Sequence, residues 1–115
     1  MNRLKGVQNV SKVFEKGKTI DVNGLRFFYL DSKKSAWGVS VGKRNFSLAV
    51  ERNKIKRMMR EGIREHLVSV IKELSVSFHF VVLYVGKKAP HKKALDEMFG
   101  QLVKKLLDTL FYEKN

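Results

Sequence analysis

The stretch LAVERNKIKRMMREGIREHLVSVIKELSVSFHFVVLYV, residues 48–85, decides how this chain folds. In its first part, Ile55, Met58, Met59, Gly62, Ile63, Leu67, Val70, Ile71 and Leu74 recur at spacings of three and four. That period predicts one long amphipathic helix over 48–74, with one face buried. Ser47 stands where an N-cap is expected. In its last part, Phe78-His79-Phe80-Val81-Val82-Leu83-Tyr84-Val85 is almost wholly apolar and β-favouring. Such a run suits a strand covered on both faces. If Trp37–Gly42 forms the strand before the helix and pairs in parallel with 78–85, the unit is a strand–helix–strand crossover. Most such crossovers are right-handed.

Working outward, Arg26-Phe27-Phe28-Tyr29-Leu30 is a short aromatic strand and Asp31–Ser35 a polar turn. Trp37–Gly42 alternates large and small residues, so the two strands read as a hairpin. Alternation puts Phe27 and Tyr29 on one face and Phe28 on the other. Residues 7–16 read as a helix through Val7, Val10, Val13 and Phe14, stopped at Gly17. Lys18–Val22 is a possible edge strand. Gly86–Lys93 reads as a basic loop, and 94–112 as a helix with Leu95, Met98, Phe99, Leu102, Val103, Leu106, Leu107 and Leu110 inward. The order is α-β-β-α-β-α, with one further strand if the edge strand forms. The class is α/β or α+β, a two-layer sandwich with helices packed on one sheet.

All of this fits one domain, 1–115. Lys and Arg number 24 against 11 Asp and Glu, a net charge of +13, while 43% of residues are apolar. The apolar share separates the chain from disordered basic tails. The absence of cysteine excludes disulfides, zinc-finger and iron–sulfur ligation, and thiol chemistry. No apolar run reaches the roughly 18–20 residues of a membrane span, and no secretory stretch follows Met1-Asn2-Arg3-Leu4-Lys5. The expectation is a soluble, intracellular, basic domain. Its partner is nucleic acid first and an anionic membrane surface second.

The charge concentrates where the long helix begins. Eight basic residues lie in 43–64, opposed only by Glu51 and Glu61. On a helix, Arg52, Lys56 and Arg60 form one row, and Asn53, Arg57 and Arg64 lie beside it. The apolar series occupies the other side. Guanidinium forks match phosphate oxygens bidentately, and Asn53 could bond a 2′-hydroxyl or a base edge. A solvated charged face would carry more interleaved Glu.

Here the sequence resembles a known family, the protein subunit of bacterial ribonuclease P. The resemblance is carried by Arg52-Asn53-Lys54-Ile55-Lys56-Arg57 with Arg60-Glu61 downstream. Lys43-Arg44-Asn45, Ala49-x-Glu51, Arg3-Leu4-Lys5, Val13-Phe14-x-x-Gly17 and the strand ending in Lys87-Lys88 also match. It runs from about residue 3 to 110. Lys54 stands where the family pattern has Arg, and Val10 where some members carry an aromatic. The resemblance implies an α-β-β-β-α-β-α order and a four-stranded mixed sheet with a left-handed βαβ crossover, a fold shared with one domain of a small-subunit ribosomal protein. It therefore opposes the base-rate handedness.

The resemblance also implies a division of labour. A catalytic RNA removes the 5′ leader of precursor tRNA with Mg2+, which the RNA mainly holds. The protein binds that RNA through Lys43, Arg44, Asn45, Arg52, Asn53, Lys54, Lys56, Arg57, Arg60 and Arg64. It lays the single-stranded leader in a cleft between sheet and first helix, with Phe14, Arg26, Phe28, Trp37, Lys87 and Lys88 as the expected lining. Basic grooves with aromatic platforms are what single strands bind. No membrane and no obligate protein partner is expected, and the location is the bacterial cytoplasm.

The remaining candidates are weaker. His66 reads as a half-buried structural residue, His79 lies in a strand and His91 in a loop, so no metal ligands are expected. Asp96 and Glu97 look like partners of a helix N-terminus. Lys33 and Lys34 read as a solvated turn. No catalytic residue is expected. The alternatives are a generic ribosomal or structural RNA-binding protein of similar fold, a stand-alone nuclease, which would need carboxylates or a His pair, and a membrane-surface protein.

Overall fold

The structure, a computed structural model, describes residues 2–4 and 6–114. Lys5 of the N-terminal motif lies outside them. The elements are β1 (Asn2–Arg3), α1 (Val7–Lys16), β2 (Lys18–Val22), β3 (Leu25–Asp31), β4 (Ala36–Val41), α2 (Ala49–Gly62), a π-helical turn (Ile63–Leu67), α3 (Val68–Glu73), β5 (Phe78–Tyr84) and α4 (Lys92–Lys114). The edge strand Lys18–Val22 is present. The short β1 adds a fifth strand to the expected four, pairing in parallel with the start of β4.

The sheet order is β1-β4-β5-β3-β2. The most apolar strand, β5, takes the middle. Phe78, Phe80, Val82 and Tyr84 are buried on one side of it and Val81 on the other. A strand without a polar face is stable only where both faces are covered. This placement corrects the hairpin expected between β3 and β4. Both strands pair with β5, β3 antiparallel and β4 parallel, and β5 separates them. The hairpin is instead β2–β3, closed at Asn23-Gly24 with Gly24 at φ 99°. Asn-Gly between strands favours the positive φ of a tight hairpin turn.

Alternation sorts the sheet into two faces. Leu25, Phe27 and Tyr29 join Trp37, Phe80 and Val82 in the main core, beneath the long helix and α4. Phe28 and Val81 face the other way. There Phe14 of α1 meets Phe28 edge-on, with ring centroids 4.7 Å apart.

The long helix departs from a plain α-helix. Ile55, Met59, Ile63, Leu67 and Ile71, all buried, are spaced strictly by four. At 3.6 residues per turn such a series drifts by about 160° over its length, off any single face. The wider π turn at Ile63–Leu67 takes up much of that drift and holds the stripe against the core. Ser47 is not the cap: the helix begins after Leu48, without a side-chain cap bond. Arg52 ties the preceding loop to the helix, its Nη1 donating to the carbonyls of Phe46 and Ser47 at 2.8 Å each.

Between the long helix and α4, His66 stacks parallel on Phe99 and its Nε2 lies 3.2 Å from Asp96 Oδ1. Lys92 Nζ is 3.5 Å from Asp96 Oδ2. Because α4 starts at Lys92, Asp96 and Glu97 lie beyond its first turn, and the expected helix-terminus role does not hold for them. The bond from His66, then the charge of Lys92, holds the Asp96 carboxyl below its ordinary value against the opposing effect of burial. A depressed carboxyl adds stability above its unfolded value, and that stability is lost as pH falls through the folded value. Asp96→Asn is therefore expected to lower the urea midpoint at pH 7. The gap from the parent should close as pH falls below the ordinary carboxylate range, as urea titrations at several pH values would show.

Candidate nucleic-acid interface

Helix α2 runs from the loop after β4 back along the sheet, so its exposed face spans the domain. Arg52, Lys56 and Arg60 form a half-buried row, and Asn53, Arg57 and Arg64 are exposed beside it. The rows expected from the sequence are thus present, with Arg52 partly committed to tying the preceding loop to the helix. Lys54 does not join them. With Glu51 and Met58 it lines the other flank, facing the Ala89–His91 loop.

Charge is crowded at the far end of this face. Burial, then the positive charges of Arg3, Arg64 and Arg57, lowers the Arg60 guanidinium from its ordinary value. Among the described residues no carboxylate pairs with Arg57, Arg60 or Arg64. The guanidinium of Arg64 lies 5.6 Å from the centroid of the Trp37 ring, a cation–π contact that fixes its position. Like charges held together without counter-charges favour an anion that bridges them.

At the near end, β4 and β5 finish side by side, with Val41 opposite Tyr84. The two following loops therefore emerge together, carrying Lys43, Arg44 and Asn45 on one and Lys87 and Lys88 on the other, all exposed. Phe46 is buried and packs on Tyr84 with centroids 6.0 Å apart, which anchors the first loop. Arg26 opens on the α1 side of β3 at this end, exposed and bonded through Nε to Asp21 at 2.7 Å.

The α1 side of the sheet holds a hollow. Phe28, Val81 and Gly38 form a row across β3, β5 and β4. Phe14 of α1 covers the Phe28 end, and both rings stay half-exposed. At the other end a Cβ on Gly38 would meet nothing within 4 Å. A cavity of about 180 Å³ opens there, with Arg3, Val10, Ser40 and Arg60 among its walls. Arg60 thus joins the cleft to the basic helix face. Arg3, Gly38 and Ser40 were not among the expected cleft residues. The signal for Gly38 is its place inside a strand, where glycine often marks a close approach.

Trp37 is a correction. It borders the hollow, but its indole stacks on Phe80 in the main core and is 4% exposed. Strand parity explains this: Trp37 pairs with Phe80 and so faces away from Phe14 and Phe28. It supports Arg64 rather than offering a platform.

The sequence offered no metal ligands, yet the fold brings Glu65, His66 and Asp96 within 4.8 Å of one another. The Lys92 ammonium lies between the carboxylates, 4.0 Å from Glu65 and 3.5 Å from Asp96, and supplies the positive charge there. No helix among the described residues is long and apolar enough to cross a membrane.

Fold and site together define a basic α+β domain with an uncompensated arginine face beside an aromatic cleft. A family model described as Ribonuclease P matches residues 1–108, and the chain belongs to that family. Among its relatives, the ribonuclease P protein component of Porphyromonas gingivalis is 33% identical over 82% of this chain and 74% of that one. That of Bacillus velezensis is 28% identical over 99% and 94%. That of Pseudomonas savastanoi is 36% identical over 60% of this chain, and the match spans about half the relative's length, 49%. The ribonuclease P protein from Thermotoga maritima superposes with a TM-score of 0.64 at 26% identity, covering 96% of each chain. That of Staphylococcus aureus superposes with a TM-score of 0.60 at 23% identity, covering 99% and 96%.

Proposed function

We propose that this chain is the RNA-binding subunit of a bacterial ribonuclease P, helping a catalytic RNA remove the 5′ leader from precursor tRNA in the cytoplasm. The observation that carries this reading is the cluster of Arg57, Arg60 and Arg64, gathered with Arg3 and without carboxylate partners among the described residues, on the edge of the Phe14–Phe28 cleft. The basic rows along α2 and the turn after it take the phosphates of the catalytic RNA, joined by Lys43, Arg44 and Asn45. The single-stranded leader lies in the hollow between α1 and the sheet, with Phe14 and Phe28 as stacking surfaces and Arg26, Lys87 and Lys88 at its mouth. No chemical step is assigned to a side chain of this protein. Mg2+ is assigned to the RNA; at the one carboxylate–histidine group that the fold assembles among the described residues, Lys92 offsets part of the negative charge and would compete with a cation.

The protein's contribution is electrostatic. It screens phosphate repulsion between two RNAs and so lowers the Mg2+ that cleavage requires. RNA affinity should fall steeply with salt, since each phosphate contact releases counterions. A flat salt dependence measured by filter binding would contradict the phosphate contacts.

Phe14→Ala tests the cleft. Base–aromatic stacking contributes roughly 1–3 kcal/mol per base, so affinity for leader-bearing precursor should fall by about tenfold. Affinity for mature tRNA should be unchanged. An equal loss for both substrates would make Phe14 packing only, and the reading would revert to a generic RNA binder.

A further inference from the structure

We propose that a second hollow, on the Lys54 flank of α2, receives a single unpaired base of the RNA partner; this rests on the RNA-binding reading above. The hollow lies between α2 and the loop after β5, with a volume of about 310 Å³. It is mostly apolar, lined by Ile55, Met58, Ala89 and Pro90 together with Glu51, Lys54 and His91. That volume sits at the lower end of small-ligand pockets, which bury a flat ring between apolar walls and orient it with a few polar groups.

One wall is held in place before any ligand arrives. The Tyr84 hydroxyl donates to the Lys88 carbonyl at 2.5 Å. Gly86 passes so close to the Tyr84 ring that a Cβ there would lie 2.4 Å from Cζ. Burial raises the Tyr84 hydroxyl above its ordinary value, so it remains a proton donor through the neutral range. Phe46 packs against the same ring. The loop that carries Ala89 and Pro90 is therefore pinned at its start, and at its end His91 accepts the Leu95 N–H of α4 at 2.9 Å through its carbonyl.

The charge pattern selects the occupant. Lys87, Lys88, Lys92 and Lys93 bracket the loop with no acidic residue between them. Among the residues that line the hollow, however, the charged ones are Lys54 and Glu51. A carboxylate-bearing peptide would be repelled at Glu51. A base is neutral and flat, and its attached phosphates would lie outside, among the lysines. The Glu51 carboxylate accepts hydrogen bonds only, so it favours a base whose exocyclic amine projects past its ring acceptors, such as adenine, over uracil, whose one donor, N3–H, is flanked by two carbonyl oxygens that repel a carboxylate. The α2 rows bind phosphates regardless of sequence; this flank would add a base contact.

The test uses the full chain with methyl-13C methionine and a single-stranded hexamer of either adenylate or uridylate. Met58 lines the hollow, whereas Met59 is fully buried in the core and Met98 lies beside Gly24. The expected result is an upfield, saturable shift of the Met58 methyl with oligoadenylate, with Met59 and Met98 unmoved. Glu51→Ala, which leaves no acceptor in place of the carboxylate, should weaken oligoadenylate binding about fivefold while leaving oligouridylate equal or tighter. That sign is opposite to simple electrostatics, because removing a negative charge strengthens RNA binding everywhere. If amides of the Arg52–Arg60 row respond to RNA and the Met58 methyl does not, the hollow takes no base and this proposal fails alone. If Met58 responds but Glu51→Ala tightens both oligomers alike, the base preference is wrong and the proposal fails in that form. If no resonance responds at low salt, the RNA-binding reading itself fails.

Discussion

Replacing Arg57, Arg60 and Arg64 together by alanine is expected to weaken binding of ribonuclease P RNA by about 100- to 1000-fold near physiological salt. Each lost phosphate contact removes roughly 1–3 kcal/mol, and the salt slope should become shallower by about one per contact. The sum is smaller than three independent losses. In the free protein these guanidiniums repel one another around Arg60 and Arg3, so removing one relieves its neighbours. The same repulsion predicts an opposite effect on folding. Arg57→Ala alone, exposed and without an ion-pair partner among the described residues, should leave the unfolding midpoint unchanged or slightly raised while RNA affinity falls. Arg64→Ala should be less neutral, because it gives up the contact with Trp37, worth about 0.5–1 kcal/mol. Denaturant titration and fluorescence anisotropy on the same variants separate the two effects. Loss of binding that merely tracks loss of stability would remove the arginines from the interface.

The second large effect belongs to the scaffold. Gly62→Val is expected to destabilise the domain by about 3 kcal/mol, at the upper end of typical overpacking penalties. Two opposing terms meet at Gly62. Alanine is favoured over glycine inside a helix by about 1 kcal/mol. Against this, a Cβ at Gly62 would lie 2.4 Å from Cε2 and 2.6 Å from Cδ2 of Phe99, a fully buried ring that cannot swing into solvent. Packing therefore wins, mildly for alanine and decisively for valine. Phe99→Leu in the Gly62→Ala background should recover part of the loss, since the narrower side chain vacates the clash. Additive losses in that double variant, measured by urea denaturation, would show that Gly62 is not where α4 meets the long helix.

Much of this arrangement was legible in residues that answer to local rules. The nearly all-apolar run of β5 demanded a strand covered on both faces, and the three-and-four spacing of Ile55 to Leu74 demanded a long helix with a basic opposite face. Two-residue alternation separated Phe28 from Phe27 and Tyr29, as the structure shows. The errors arose where a distant partner outweighed a local signal. β3 and β4 are neighbours in the chain, but β5 returns across the long helix and takes the place between them. Ser47 has the chemistry of a cap, yet the helix starts one residue later, after Leu48, so its hydroxyl is out of the capping position. Trp37 reads as a binding aromatic until its register with Phe80 turns it inward. The π turn at Ile63–Leu67 has a trace in the unbroken four-residue spacing of the buried stripe, and the β2–β3 hairpin in Asn23-Gly24. The approach of Glu65, His66, Lys92 and Asp96 has none, because it depends on how α4 docks.

The central claim is that the protein assists an RNA catalyst and performs no cleavage itself. It is tested most directly by cleaving precursor tRNA with a bacterial ribonuclease P RNA at low, near-physiological Mg2+, with and without this protein, beside a control of protein alone. The account predicts that the protein switches on cleavage at the correct 5′ site and that the protein alone is inert. Unchanged cleavage despite tight RNA binding, or cleavage by the protein alone, would contradict it.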